Sequence, residues 1–179
     1  DVLTIFLSPR DLRALRLLNR LGKSTQQEEE QSVIQALGES QSGITADELL
    51  LRLKSPRFDI RAEALSALTN LPLDERISKA LVSEVKNHRF TTAYLAADMI
   101  GKKNIPEGVK ALRQSIHSRD YFLIGKAMVA LARLKDLESI ATIRDILEKT
   151  DNPRLIIHAA HALEIFSDLK AIPILIGKL

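Results

Sequence analysis

Apolar residues return along this chain in two interleaved registers. Ala64-Leu65-Ser66-Ala67-Leu68, Ala127-Met128-Val129-Ala130-Leu131 and Ala159-Ala160-His161-Ala162-Leu163 each read Ala-x-x-Ala-Leu. Ala96-Ala97-Asp98-Met99-Ile100 fills the same slot with larger groups, and Gln35-Ala36-Leu37-Gly38 matches its end. Aligning Leu37, Leu68, Ile100, Leu131 and Leu163 gives a step of about 31 or 32 residues throughout. The second register follows each of these. Ile140, Ile143 and Leu147 form the i, i+3, i+7 stripe of an amphipathic helix; Val109, Leu112 and Ile116 precede them by one period, and Ile172, Leu175 and Leu179 follow by one. Leu81 with Val85 and Leu49 with Leu53 carry it backwards. Each unit is therefore read as two short helices, one rich in small residues and one with a Leu/Ile stripe. The Ala-rich helix, whose small side chains permit close approach of backbones, is expected between layers.

Punctuation falls between these stripes. Thr45-Ala46-Asp47-Glu48 reads as a capping box opening a helix. Ser55-Pro56 and Asn152-Pro153 place proline at or near a first turn, where its missing N–H costs nothing. Gly38, Gly101, Lys102-Lys103-Asn104 and Lys135-Asp136 mark helix ends and connectors. The pairs are predicted at residues 24–54, 55–86, 87–117, 118–149 and 150–179. A separate leading helix over 9–21 is opened by Ser8-Pro9 and closed by Gly22.

The opening residues of these units resemble those of the short HEAT repeats found in phycobilin lyases and many bacterial proteins. That pattern runs approximately Asp-Pro-x-Val-Arg-x-x-Ala-x-x-Ala-Leu, then a Gly/Asp connector and an apolar-Pro-x-Leu second helix. Residues Ser55 to Leu68 carry it, and Asn152-Pro153 with Ala159, Ala162, Leu163, Asp168 and Ala171-Ile172-Pro173-Ile174-Leu175 carry it at the C-terminal end. The match covers residues 24–179. It implies an all-α fold, a right-handed α-solenoid of about five helical-hairpin repeats plus the leading helix, with a concave face lined by second helices. The domains expected are residues 1–23, a basic leading segment, and residues 24–179, the repeat array. Two departures qualify the likeness. The pattern's arginine is present as Arg61, but Ala93, Ile124 and Ile156 replace it later, so the ladder of Arg–Asp pairs between repeats is expected to be missing. Thr91-Thr92 is a poor opening for the third unit.

Composition narrows the chemistry. The chain has 179 residues, 45% hydrophobic and 27% charged, which describes a soluble folded protein. Aromatics make up only 4%, without Trp, which favours thin helical layers over a sheet of aromatic cross-strand pairs. The absence of Cys removes disulfides, thiolate metal sites and cysteine nucleophiles together. The net charge of +3 conceals segregation: residues 1–23 hold five basic and two acidic groups, residues 24–48 six acidic and no basic, and residues 49–179 21 basic and 15 acidic. No strongly basic block accompanies the pI of 9.2, so nucleic acid is disfavoured as a partner.

Motifs for catalysis fail on inspection. Gly22-Lys23-Ser24-Thr25 ends like a phosphate-binding loop, but its first Gly would fall on Leu17 and a helix precedes it. His158 and His161 have the reach of two metal ligands on one helix, with no third at helical spacing; they read as polar residues around an Ala-rich helix. His88 and His117 read as surface residues at repeat junctions, and Glu28-Glu29-Glu30 as a solvated helix start rather than an acid/base pair. No nucleophile elbow or dinucleotide fingerprint occurs. The chain is therefore read as a non-enzyme, with no cofactor and no metal.

Two basic features point to partners. On the second helices, Arg113 and Arg144 follow one register and Lys79 and Lys110 another close to it, and together they would form a band along the concave face, suited to an acidic peptide or a phosphate backbone. Glu84, Asp145 and Glu148 intersperse it, as ordinary solubility charge would. Tyr94, Tyr121 and Phe122 do not interleave with it as base-stacking platforms would. On the leading helix, Arg10, Arg13, Arg16 and Arg20 share a face opposite Leu12, Leu15 and Leu18, just after the apolar run from Val2 to Leu7. That order is the one found on the cytoplasmic side of a membrane span, although the run itself is too short to cross a bilayer and lacks the features of a secretory signal. It resembles the junction of bacterial major facilitator transporters whose C-terminus continues into such an array. The plain alternative is a polar capping helix for the solenoid. Asp1 at the start and the unfinished stripe at Leu179 suggest a piece of a longer protein.

The function expected is a non-catalytic, cytoplasmic protein-protein interaction scaffold that binds a protein or peptide partner, of acidic character, on its concave face. One alternative is a cytosolic regulatory C-terminal domain of a membrane transporter, attached through its N-terminal side. Another is a HEAT-type enzyme, either a bilin lyase or a DNA glycosylase acting on alkylated purines.

Overall fold

The computed structural model of the chain describes Ile34, residues 43–87 and residues 92–178. Among the described residues all regular structure is helical. The helices are α1 (Gly43–Arg52), α2 (Phe58–Leu68), α3 (Glu75–Lys86), α4 (Ala93–Lys102), α5 (Val109–Ser115), α6 (Tyr121–Arg133), α7 (Ile140–Lys149), α8 (Pro153–Ile165) and α9 (Ile172–Ile176). The chain divides into two compact units, one ending at Ile77 and the next beginning at Ser78, inside α3. In the second unit the predicted pairs appear, in chain order, as α4/α5, α6/α7 and α8/α9.

In the first unit α1 packs on α2 through Leu49 and Leu53 on one side and Ile60, Ala64, Leu65 and Leu68 on the other, all buried. Helix α1 starts at Gly43, so Thr45 lies inside it and the expected capping box does not open it. Arg61 donates to the carbonyls of Ser55 and Pro56 at 2.7 and 2.9 Å, stitching the loop ahead of α2 to its first turns. In the second unit the same register holds hydrophobic residues instead: Ala93 and Ile124 are buried.

The second unit is a stack of hairpins. Its first helices form one row, α4 against α6 and α6 against α8, while α5 lies on α6, α7 on α8, and α9 on α7. The Ala-rich register is the seam: Ala96, Ala97, Ile100, Ala127, Ala130, Leu131, Ala159, Ala162 and Leu163 are all buried. Leu81, Val85, Leu112, Ile143 and Leu147 of the second helices are buried as well. Gly101 belongs to this seam and is not the terminator expected from sequence. It lies inside α4, and a Cβ built on it would stand 2.7 Å from the Ala130 Cα.

The connectors are three copies of one turn. Asn104, Lys135 and Ser167 adopt φ of 52°, 57° and 57°. At each, the next amide reaches back five residues: Ile105 to the Ile100 carbonyl, Asp136 to Leu131 and Asp168 to Leu163, each at 3.0 Å. This is the left-handed helix stop that glycine usually occupies, here built without one. A short 3-10 turn then leads into each second helix, at Pro106–Gly108, Leu137–Ser139 and Leu169–Ala171. Left-handed φ costs an L-residue about 1 kcal/mol or more, so Lys135→Gly should raise stability by about 0.5–1 kcal/mol despite the looser unfolded chain. A rise in the urea midpoint at unchanged slope is the expected reading, and a fall would show that the Lys135 side chain contributes more than its backbone strain.

Helix starts follow local chemistry. Asn152 caps α8 by accepting from the Arg154 amide at 3.0 Å, with Pro153 in the first turn as predicted. Asp120 caps α6 in the same way through the amides of Phe122 and Leu123. Thr92 stands at the start of α4 without a capping bond, because its hydroxyl donates to the buried Glu84 carboxylate of α3. The weak opening read from Thr91-Thr92 thus coincides with a hydroxyl bonded to a neighbouring helix.

Candidate interaction surface

The second helices do not present four uncommitted cations. Arg113 of α5 reaches forward to the next connector, where its Nε donates to Asp136 at 2.8 Å, with further contacts to Asp136 and Glu138. Arg144 of α7 repeats this one unit on, its Nε donating to Asp168 at 2.7 Å. Asp136 sits directly after the left-handed residue Lys135, so the turn itself aims the carboxylate at the preceding hairpin. Hydrogen bonds from Arg113 hold the Asp136 carboxyl below the usual aspartate range against its burial, with Ser139 adding to the effect. Arg113 is correspondingly held more firmly protonated, first by Asp136 and then by Glu138.

These rungs correct the expectation that an Arg–Asp ladder is missing. The ladder exists in the second unit, but its arginines come from second helices and not from the register of Arg61. At the junction ahead, the two equivalent positions hold Val82 and Ile105, so both partners are replaced together. Lys110 is exposed and has no ion pair among the described residues, and Lys79 is exposed on α3. Of the four predicted contact residues, Lys110 presents its charge outward, whereas Arg113 and Arg144 are engaged within the chain. Arg10, Arg13, Arg16 and Arg20 lie outside the described residues. No helix among the described residues is long and apolar enough to cross a membrane, and none of their His, Asp and Glu side chains gather as three or more around a metal position.

A second cluster lies on the first helices. In one row, the Tyr94 and Phe122 rings stand 5.9 Å apart and the Arg154 guanidinium lies over Phe122 at 5.0 Å. In the next row Asp98 meets Lys126 at 3.4 Å and Arg133 at 3.5 Å, while Lys102 of its own helix approaches to 2.6 Å. Burial pushes the Asp98 carboxyl up, but the Lys102 hydrogen bond and the charges of Lys126, Lys102 and Arg133 overcome it and hold it below the usual range. His158 packs its ring against Gly125, where any Cβ would overlap it. Burial, and then the charges of Lys126 and His161, lower its proton affinity, with Asp98 opposing.

Sequence reasoning missed this cluster. The sequence pattern presents His158 and His161 as polar residues around an Ala-rich helix and leaves the aromatics out of register with the basic band. The signal was present: Tyr94, Phe122 and Arg154 are spaced by 28 and 32 residues, and so are Asp98, Lys126 and His158. The first interval is shorter than the repeat because contacting side chains on adjacent helices need not occupy equivalent positions.

Comparison with solved structures gives the class of fold. An engineered protein solved by the Northeast Structural Genomics Consortium superposes with a TM-score of 0.54 at 22% identity, covering 93% of this chain and 85% of that one. A designed armadillo repeat protein superposes with a TM-score of 0.53 at 16% identity, covering 93% and 87%. The chain thus has the all-helical α-solenoid fold of armadillo-type repeat proteins. No protein-family model matches it, and no curated protein sequence does.

Proposed function

We propose that this chain is a non-catalytic scaffold that holds a protein partner on the side-chain rows of its stacked hairpins. The observation that carries the reading is the pair of rungs, Arg113–Asp136 and Arg144–Asp168, which tie successive hairpins in register. Rows held in register before binding lose little freedom when a partner docks, so modest contacts spread over many residues suffice. The exposed Lys110 supplies a cation on the second-helix side, which suits a partner of acidic character.

Amine-reactive cross-linking of the tagged full chain in its own cells tests this. One recurrent protein should be recovered, with its links concentrated on the lysines of one face. Links scattered over all faces to no recurrent protein would overturn the scaffold reading, as would turnover of a small molecule by the purified chain.

A further inference from the structure

The row of first helices gathers more cation than it neutralises. In the ion pairs of the described residues, Lys102, Lys126 and Arg133 share the single carboxylate of Asp98, and its contacts to the last two are long, at 3.4 and 3.5 Å; Glu164 of α8 is exposed and pairs with none of them. A lysine carries three donors and an arginine five, so most of these remain unused. Arg154 makes no ion pair among the described residues and lies instead over Phe122. A guanidinium stacked on a ring keeps its in-plane N–H groups available for a carboxylate. Beside these donors stand apolar surfaces: Phe122 is 52% exposed, Tyr121 56% and Ile157 66%.

We propose that the face built by α4, α6 and α8 docks an acidic segment of a protein partner, its carboxylates meeting Arg154, Lys126 and Arg133 and its apolar side chains meeting Phe122 and Ile157. Asp98 acts as the positioning residue that holds the cations of α4 and α6 together. A second copy of the chain does not fit, because its own face would bring like charge against like charge. Nucleic acid fits less well than peptide. Phe122 already has Arg154 over its ring and Tyr94 tilted against it at 42°, so a base would have to displace one of them to stack.

The same geometry couples docking to pH. His158 shares its side of α8 with Arg154 and His161, and faces Lys126 of α6 and, beyond it, Asp98 of α4. A carboxylate arriving beside it favours its charged form, so binding takes up a proton and tightens as pH falls through the histidine range.

This inference rests on the scaffold reading only in taking the partner to be protein, and a defined probe separates the two. Fluorescence anisotropy of the full chain with a labelled peptide of six glutamates flanking one phenylalanine should show saturable binding. That binding should weaken with salt and tighten from pH 7.5 to 6. Arg154→Gln should weaken it about tenfold, and Lys126→Gln comparably, while Lys170→Gln, which removes the same charge elsewhere, should leave it unchanged. Arg154 is exposed and outside the ion pairs, so its variant keeps the fold, checked by an unchanged unfolding midpoint. The inference falls if no binding occurs, if Lys110→Gln abolishes binding while Arg154→Gln does not, or if a single-stranded oligonucleotide of equal charge binds more tightly than the peptide. In each of those cases a recurrent cross-linked partner would leave the scaffold reading standing.

Discussion

Gly101→Val should cost the second unit about 3 kcal/mol, at the upper end of what overpacking a close helix contact does. The cause is backbone against backbone. The valine Cβ would begin 2.7 Å from the Ala130 Cα and 2.9 Å from its Cβ, and neither atom can turn aside. Helices α4 and α6 would have to separate, and with them the buried seam of Ala96, Ala97, Ile100 and Ala127. Gly177 provides the contrast, since a Cβ there would meet nothing nearer than 3.5 Å, so Gly177→Ala should be close to neutral. Urea denaturation followed by circular dichroism checks both. Equal midpoints for Gly101→Val and the parent would mean that the two helices do not approach as described.

Asp136→Ala should cost about 2 kcal/mol, the range for removing hydrogen bonds to a charged group. Three hydrogen bonds converge on this carboxylate, two from the Arg113 guanidinium and one from the Ser139 hydroxyl, and it is largely buried. Asp168→Ala should cost less, because Arg144 reaches Asp168 through its Nε. The rung also sets a pH dependence. The folded-state pKa of Asp136 lies below its ordinary 3.8, so its contribution is fully present above that value and is lost as pH falls through the folded value. Between pH 5 and 2 the parent should therefore lose more stability than Asp136→Asn does. Parallel acid curves for the two proteins would show that the rung contributes nothing.

The repeat and its helix pairs were legible because burial imposes a period: Leu68, Ile100, Leu131 and Leu163 are all interior, and the intervals between them survive any local irregularity. The Asn152-Pro153 start was legible because capping is a local interaction. The turns at Lys135 and Ser167 were less so, since their left-handed residue is neither glycine nor asparagine, whereas Asn104 is of the type that most often stands in for glycine there. Gly101 misled for the complementary reason: a glycine near a helix end reads as a stop, while here it serves a close approach to Ala130. The rungs and the first-helix cluster depend on which side chains of different helices meet. Arg113 to Asp136 spans 23 residues and Asp98 to Lys126 spans 28, and neither interval equals the repeat that organises the core.

The rungs also govern how the array tolerates insertion and loss of units. Each belongs to a junction, with one partner on either side, so hairpins are not interchangeable parts. Excising residues 118–149 would bring Arg113 to the connector of Asp168 and re-form a matched junction. Excising residues 87–117 would instead set Val82 against Asp136 and strand an acid that the fold keeps from water. Shuffling of this chain, by recombination or by design, is thus channelled toward edits that carry both halves of a seam together.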